Sequence, residues 1–146
     1  MAHIEPDNLI RVTIRIARKW TETLWARRVG PDTARIDCIP RYARDVTLGS
    51  LVKLDSRGHV LYVLEKTGRN AYGEYAVTPD VALEDLYGTI RDHLAEHDIP
   101  TVGYAPGKVA MSVPNDISPG RLEELLAACP VPVKVVRDFG RRVRPR

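Results

Sequence analysis

The spacing of apolar residues changes near residue 69, where helical periods first join the strand-like ones, and that change bounds the fold class. Before it, apolar side chains recur at every second position. Ile10, Val12, Ile14 and Ile16 alternate with Arg11, Thr13 and Arg15, and the series closes on Ala17 and Arg18. Successive side chains of a strand point to opposite faces, so residues 8–18 are expected to form a half-buried strand. Residues 23–26 and 34–37 flank Gly30-Pro31-Asp32 as a hairpin, and Pro40 stops the ladder. Residues 51–54 and 60–64 flank Asp55-Ser56-Arg57-Gly58 as a second hairpin. About five short strands follow from this pattern. So small a twisted sheet hides its edges best by curling into a barrel-like form.

Beyond residue 69 the period lengthens to that of a helix. Residues 72–77 read as a strand, and Thr78-Pro79-Asp80 supplies capping chemistry for a helix carrying Leu83, Leu86, Tyr87, Ile90 and Leu94 on one face. Pro100 ends it. Residues 101–104 and 108–113 form strands around Ala105-Pro106-Gly107. Ser118 caps and Pro119 opens a second helix with Leu122, Leu125, Leu126 and Cys129 on one stripe, Pro130 terminates it, and residues 131–138 alternate as a last strand. Strand, helix, strand, strand, helix, strand is the ferredoxin-like order. The expectation is therefore an α+β chain with a β-rich subdomain over residues 1–69, a ferredoxin-like subdomain over 70–139, and an arginine-rich tail over 140–146 expected to be disordered.

Charge divides along the same lines. Residues 1–69 carry 13 basic and 8 acidic side chains, residues 70–139 carry 5 and 11, and the last seven residues add four arginines, so the net charge of +3 combines +5, −6 and +4. Opposed charges steer association, so self-association through these surfaces is one expectation. The N-terminal residues carry no basic stretch leading into an apolar core, and no window approaches a membrane span, which implies a cytoplasmic protein with no membrane partner. Cys38 and Cys129 stand far apart without metal-ligand or redox spacing and read as small buried hydrophobes.

Motifs of catalysis fail on spacing. His93-Leu94-Ala95-Glu96-His97 matches the H-x-x-E-H helix of zinc peptidases but lacks a third ligand and a chain long enough for a cleft, so a solvated polar helix face is the expectation, with no metal. Gly103 to Lys108 is one residue short of a phosphate loop and has Val109 where a hydroxyl belongs. No G-x-S-x-G elbow occurs, and Glu84-Asp85 and Glu123-Glu124 read as solvated pairs. No cofactor is implied. Three functional readings remain. The first is a non-enzymatic binding or accessory protein that recognises a macromolecule, foremost a protein. The second is a small enzyme or ligand-binding protein with its site in a groove between the two subdomains, drawing on Arg41, Tyr42 and Arg44 from the long loop after Pro40 and on Arg69, Asn70 and Tyr72 from the link. The third is nucleic-acid binding through Arg11, Arg15, Arg18, Arg27 and Arg28 with Trp20, one of the two tryptophans being expected in the core.

Glu22-Thr23-Leu24-Trp25-Ala26, Ile36-Asp37-Cys38-Ile39-Pro40, Leu48-Gly49-Ser50-Leu51-Val52, Lys66-Thr67-Gly68 and Val113-Pro114 together resemble a bacterial family known as domain of unknown function 4265. The chain departs from that pattern at Cys38, where Asn is usual, at Ser50, where Asp is usual, and at Arg69-Asn70, where a His-Ser pair follows the glycine. If those polar positions serve an activity shared across the family, this chain has lost or altered it. The resemblance implies an intracellular bacterial protein and no particular reaction.

Overall fold

In the computed structural model, which describes residues 8–140, the alternating stretch becomes β1 (Leu9–Ala17), antiparallel to β2 (Trp20–Gly30). The register sets Val12 beside Leu24 and Arg11 beside Trp25, so the two strands share one buried and one exposed face. β3 (Thr33–Ile36), β4 (Leu51–Leu54) and β5 (Val60–Glu65) complete a five-stranded sheet in sequence order. The Thr13 N–H donates to the Gly58 carbonyl at 3.0 Å, which draws β1 back to the start of β5 and curls the sheet into a half-barrel. Val12, Leu24, Ala26, Ala34, Ile36, Val52 and Leu54 fill its interior, together with Ala43 and Val46 from the connection between β3 and β4. In β5 the register slips twice, leaving Leu61 and Leu64 as the extra residues. Such bulges re-aim side chains, and Leu61, Tyr62 and Leu64 are all exposed.

The chain divides into two units, the first ending at Thr67 and the second starting at Gly68. The second unit runs β6 (Arg69–Tyr75), α1 (Leu83–Ala95), β7 (Thr101–Ala105), β8 (Lys108–Val113), α2 (Pro119–Ala127) and β9 (Val133–Asp138), so the chain as a whole is a sheet-rich α+β protein with two helices among the described residues. Its sheet has the order β7-β8-β6-β9 with every neighbour antiparallel. Ala71, Val109, Met111, Val113 and Val133 share one apolar cluster with Leu86, Ile90 and Leu94 of α1 and Leu122, Leu125 and Leu126 of α2, so both helices cover the same face. Burying side chains of this size contributes about 1.5–3 kcal/mol each. No helix among the described residues is long and apolar enough to cross a membrane.

Several boundaries differ from expectation for identifiable reasons. β6 begins at Arg69 rather than Tyr72, because Arg69 and Asn70 already pair with Val113 and Ser112. α1 begins at Leu83 rather than just after Asp80, because the Val81 N–H closes a turn on the Thr78 carbonyl first; its N-cap is Ala82, without a side-chain cap, and Glu84 and Asp85 face the positive helix end instead. α2 starts as the sequence indicates, with the Ser118 hydroxyl accepting from the Arg121 N–H. Neither tryptophan is core: Trp25 is 44% exposed because Leu24 and Ala26 take the inward positions of that strand, and Trp20, at the start of the strand, is 50% exposed. The arginines of the expected tail, 141–146, lie outside the described residues.

Candidate functional site

Between Ile36 and Leu51 the chain runs 14 residues without helix or strand. Backbone groups in so long a connection need partners other than a ladder, and side chains supply them at both ends. Glu22, from the inward-facing row of β2, accepts from three successive backbone N–H groups: Arg41 at 2.6 Å, Tyr42 at 3.0 Å and Ala43 at 2.9 Å. One carboxylate thus fills a concave row of amides of the kind that binds anions. At the far end the Thr47 N–H donates to the Ser50 hydroxyl at 3.0 Å, and the Thr47 hydroxyl donates to the Thr67 carbonyl at 2.5 Å. That commits the only Thr47 hydroxyl proton, so in the 2.6 Å contact between the two hydroxyls Ser50 is the donor. The Thr67 hydroxyl returns a bond to the Leu48 carbonyl at 2.7 Å. Thr47 and Ser50 are fully buried. Gly49 and Gly68 adopt φ of +86° and +64°, which L side chains rarely do, and a Cβ on Gly49 would stand 2.9 Å from the Thr67 hydroxyl.

This clamp fixes what the loop presents. Arg41, Tyr42, Arg44 and Asp45 are exposed while Pro40, Ala43, Val46 and Thr47 are buried. The Tyr42 ring lies 4.6 Å from that of Trp20 at 48°, and the Arg41 guanidinium sits 5.6 Å from the Tyr42 ring centre. Beside them a pocket of about 150 Å³ opens between β1 and the loop, lined by Ile14, Arg15, Ile16, Tyr42, Ala43, Arg44 and Asp45. The fold therefore joins candidates that the sequence kept apart: Arg41, Tyr42 and Arg44 from the loop, and Arg15 and Trp20 from β1 and β2, with Arg18 in the turn between those strands.

The remaining candidates lie elsewhere. Arg11 stacks 4.7 Å from the Trp25 ring centre, Arg27 pairs with Asp37 at 3.3 Å, and Arg28 donates to the Pro31 carbonyl at 2.7 Å. Arg35 and Lys53, on the same outer face, pair with Glu65 and Asp32. Lys53 donates to Asp32, which holds the Asp32 carboxyl below its ordinary range and the Lys53 amine above its own. Arg69, Asn70 and Tyr72 are not link residues but buried members of β6. Arg69 grips Asp138 with bonds of 2.6 and 3.1 Å and donates to the Ile117 carbonyl at 2.6 Å, an ion pair with both side chains under 10% exposed.

Chemistry-bearing groups of the second unit are likewise absorbed by packing. His93 is half-buried rather than solvated, its Nε2 lying 2.8 Å from the Leu125 carbonyl, which ties α1 to α2. Among the described residues no three His, Cys, Asp or Glu side chains gather for a metal ion. Both cysteines are free thiols, and burial pushes each of them up. A larger apolar pocket, about 310 Å³, lies between α1 and β7 over Tyr75, Leu83, Tyr87 and Val102. Glu22, Thr47, Ser50 and Thr67 were not singled out as site residues by patterning alone. The signal available for Glu22, Ser50 and Thr67 was their place in the family-like motifs, which here map onto the two ends of one loop; Thr47 lies outside those motifs.

The family model described as Domain of unknown function (DUF4265) matches residues 22–130, beginning at the clamping glutamate. No curated protein matches the chain. Among solved structures, a hypothetical protein from Neisseria gonorrhoeae superposes with a TM-score of 0.56 at 16% identity, covering 86% of this chain and 87% of its own. A likeness at that identity concerns the fold alone.

Proposed function

Because this chain belongs to the DUF4265 family and its family-like motif residues hold one loop in place, we propose that it is a non-enzymatic binding protein that recognises another protein through that loop. The observation that carries the reading is the grip of the Glu22 carboxylate on three successive amides. A surface held in one conformation before contact loses less conformational entropy on binding, and exposed Tyr, Trp and Arg are the residue types that dominate interface energetics. Tyr42, Trp20, Arg41, Arg44 and Arg15 supply that set. We read the second unit as ferredoxin-like, a reading supported by its strand–helix–strand–strand–helix–strand order and the sheet order β7-β8-β6-β9.

Nucleic-acid binding is the weaker reading. Arg27, Arg35 and Lys53 on the outer sheet face are matched by Asp37, Glu65 and Asp32, and the Trp25 ring that would stack a base has Arg11 over it. A photo-reactive residue placed at Tyr42 and, separately, at Arg121 in the full chain tests the proposal. One discrete adduct from native lysate is expected at position 42 and none at 121, with the adduct reduced about tenfold when Glu22→Gln loosens the loop. Equal labelling at both positions, or none at position 42, would count against it.

A further inference from the structure

We infer that the pocket between β1 and the clamped loop takes an acidic, extended segment of a partner protein that also carries an apolar side chain. The inference rests on the loop being the recognition surface and goes further by naming the chemistry of what it meets. Three observations on the first unit support it.

The first is charge. Arg15 near the end of β1 and Arg18 and Lys19 in the following turn are exposed, and among the described residues no acidic side chain forms an ion pair with any of them. Arg44 lines the same pocket, and Asp45 is its one acidic lining residue. Glu22 lies close by, but its carboxylate is committed to the amides of residues 41–43. The corner therefore projects a positive field, which speeds encounter with anions and selects against basic partners.

The second is shape. Cations at positions 15, 18 and 19 are strung along the strand end and the two-residue turn that follows, with Arg15 and Arg18 three positions apart, at most about 10 Å of extended chain. A compact anion would meet one of them at a time, whereas carboxylates spaced along an extended peptide meet them together. Arginine also favours carboxylates through its paired donors. The third is the floor of the pocket, where Ile14, Ile16 and Ala43 offer an apolar surface in about 150 Å³, room for one side chain.

The aromatic geometry favours a peptide over a nucleic acid. The Trp20 and Tyr42 rings pack against each other at 48° rather than lying as parallel platforms, which provides an apolar wall and not a pair of base-stacking faces. Trp20 also supplies a local reporter, since Trp25 sits on the outer sheet face with Arg11.

The test uses the full chain and two probes of similar length and charge: a peptide of about twelve residues built from Asp, Glu and Phe, and a dT oligonucleotide of about twelve nucleotides. The peptide is expected to change tryptophan emission, and that change should vanish in Trp20→Phe and persist in Trp25→Phe. Charge reversal by Arg15→Glu with Arg18→Glu should weaken binding about tenfold, and Arg121→Glu should leave it within about twofold. Raising salt from about 50 to about 500 mM should weaken it several-fold. Tighter binding of the oligonucleotide at equal salt, an emission change that follows Trp25, indifference to the Arg15/Arg18 reversal, or no peptide binding at about 200 µM protein would each overturn the inference. The two levels separate cleanly. A partner cross-linked at position 42 that ignores the charge reversal keeps the loop as recognition surface and removes the acidic segment, whereas loss of any adduct at position 42 removes the recognition surface itself.

Discussion

The two units of this chain use hydrogen-bonded polar side chains in opposite ways. In the second, Arg69 and Asp138 bond to each other and to neighbouring backbone, joining β6, β9 and the turn before α2 beside an apolar core. In the first, Glu22, Thr47, Ser50 and Thr67 bond to a segment with no regular structure and keep it in one shape while its tips remain exposed. The second arrangement is complete in itself; the first presents a surface. On the proposed reading, recognition concentrates in these 14 irregular residues, because binding residues gather on loops fixed by a scaffold.

Removing one partner of the buried ion pair should have the largest effect. Arg69→Met leaves the Asp138 carboxylate buried and uncompensated and is expected to cost about 3–5 kcal/mol, read as a lowered urea midpoint of the second unit. Amide protection at residues 41–43 should be unchanged. If the loop loosened as well, the contrast between the units would fail. Glu22→Ala should cost less, about 2–3 kcal/mol, since the three amides it serves can turn to water, with the loss confined to the first unit. Thr47→Val removes a fully buried hydroxyl and leaves the Thr67 carbonyl and Ser50 hydroxyl without it, for about 1–3 kcal/mol by the same measurement.

Much of the fold could be read from spacing. Alternation from Ile10 to Ile16 defines β1, and Ser118-Pro119 ahead of the Leu122, Leu125, Leu126 stripe defines α2 almost to the residue. The site was legible only in pieces. Arg41, Tyr42 and Arg44 stood out as loop residues and Arg15 and Trp20 as strand residues, but their meeting depends on a carboxylate 19 residues before Arg41 whose target no local period records. Arg69 carries the same lesson with the opposite outcome, since its partner is 69 residues away and converts a supposed link into a buried strand. The β5 bulges are invisible for another reason: VLYVL is apolar at every position and carries no alternation to fix its register, and only its pairing with the four residues of β4 shows Leu61 and Leu64 as the extra residues.

The smallest expected effect concerns acid. The His59 N–H, assisted by that of Arg57, holds the Asp55 carboxyl below its usual range, and Lys53 does the same for Asp32. A folded-state pKa below the unfolded value near about 4 means stability that is present above that pH and lost as the pH falls through the folded pKa. Asp55→Asn should therefore lower the thermal midpoint slightly at neutrality and flatten its decline below about pH 4. Both carboxylates belong to the first unit, so acid should weaken that unit by this route.

Amide exchange at Arg41, Tyr42 and Ala43 in the native chain and in Glu22→Gln tests the clamp most directly. The three amides should exchange slowly in the native protein and at least about tenfold faster in the variant, with the β6 and β8 amides unaffected. Equal, fast exchange in both proteins would mean that the carboxylate holds nothing and that the loop is not a preformed surface.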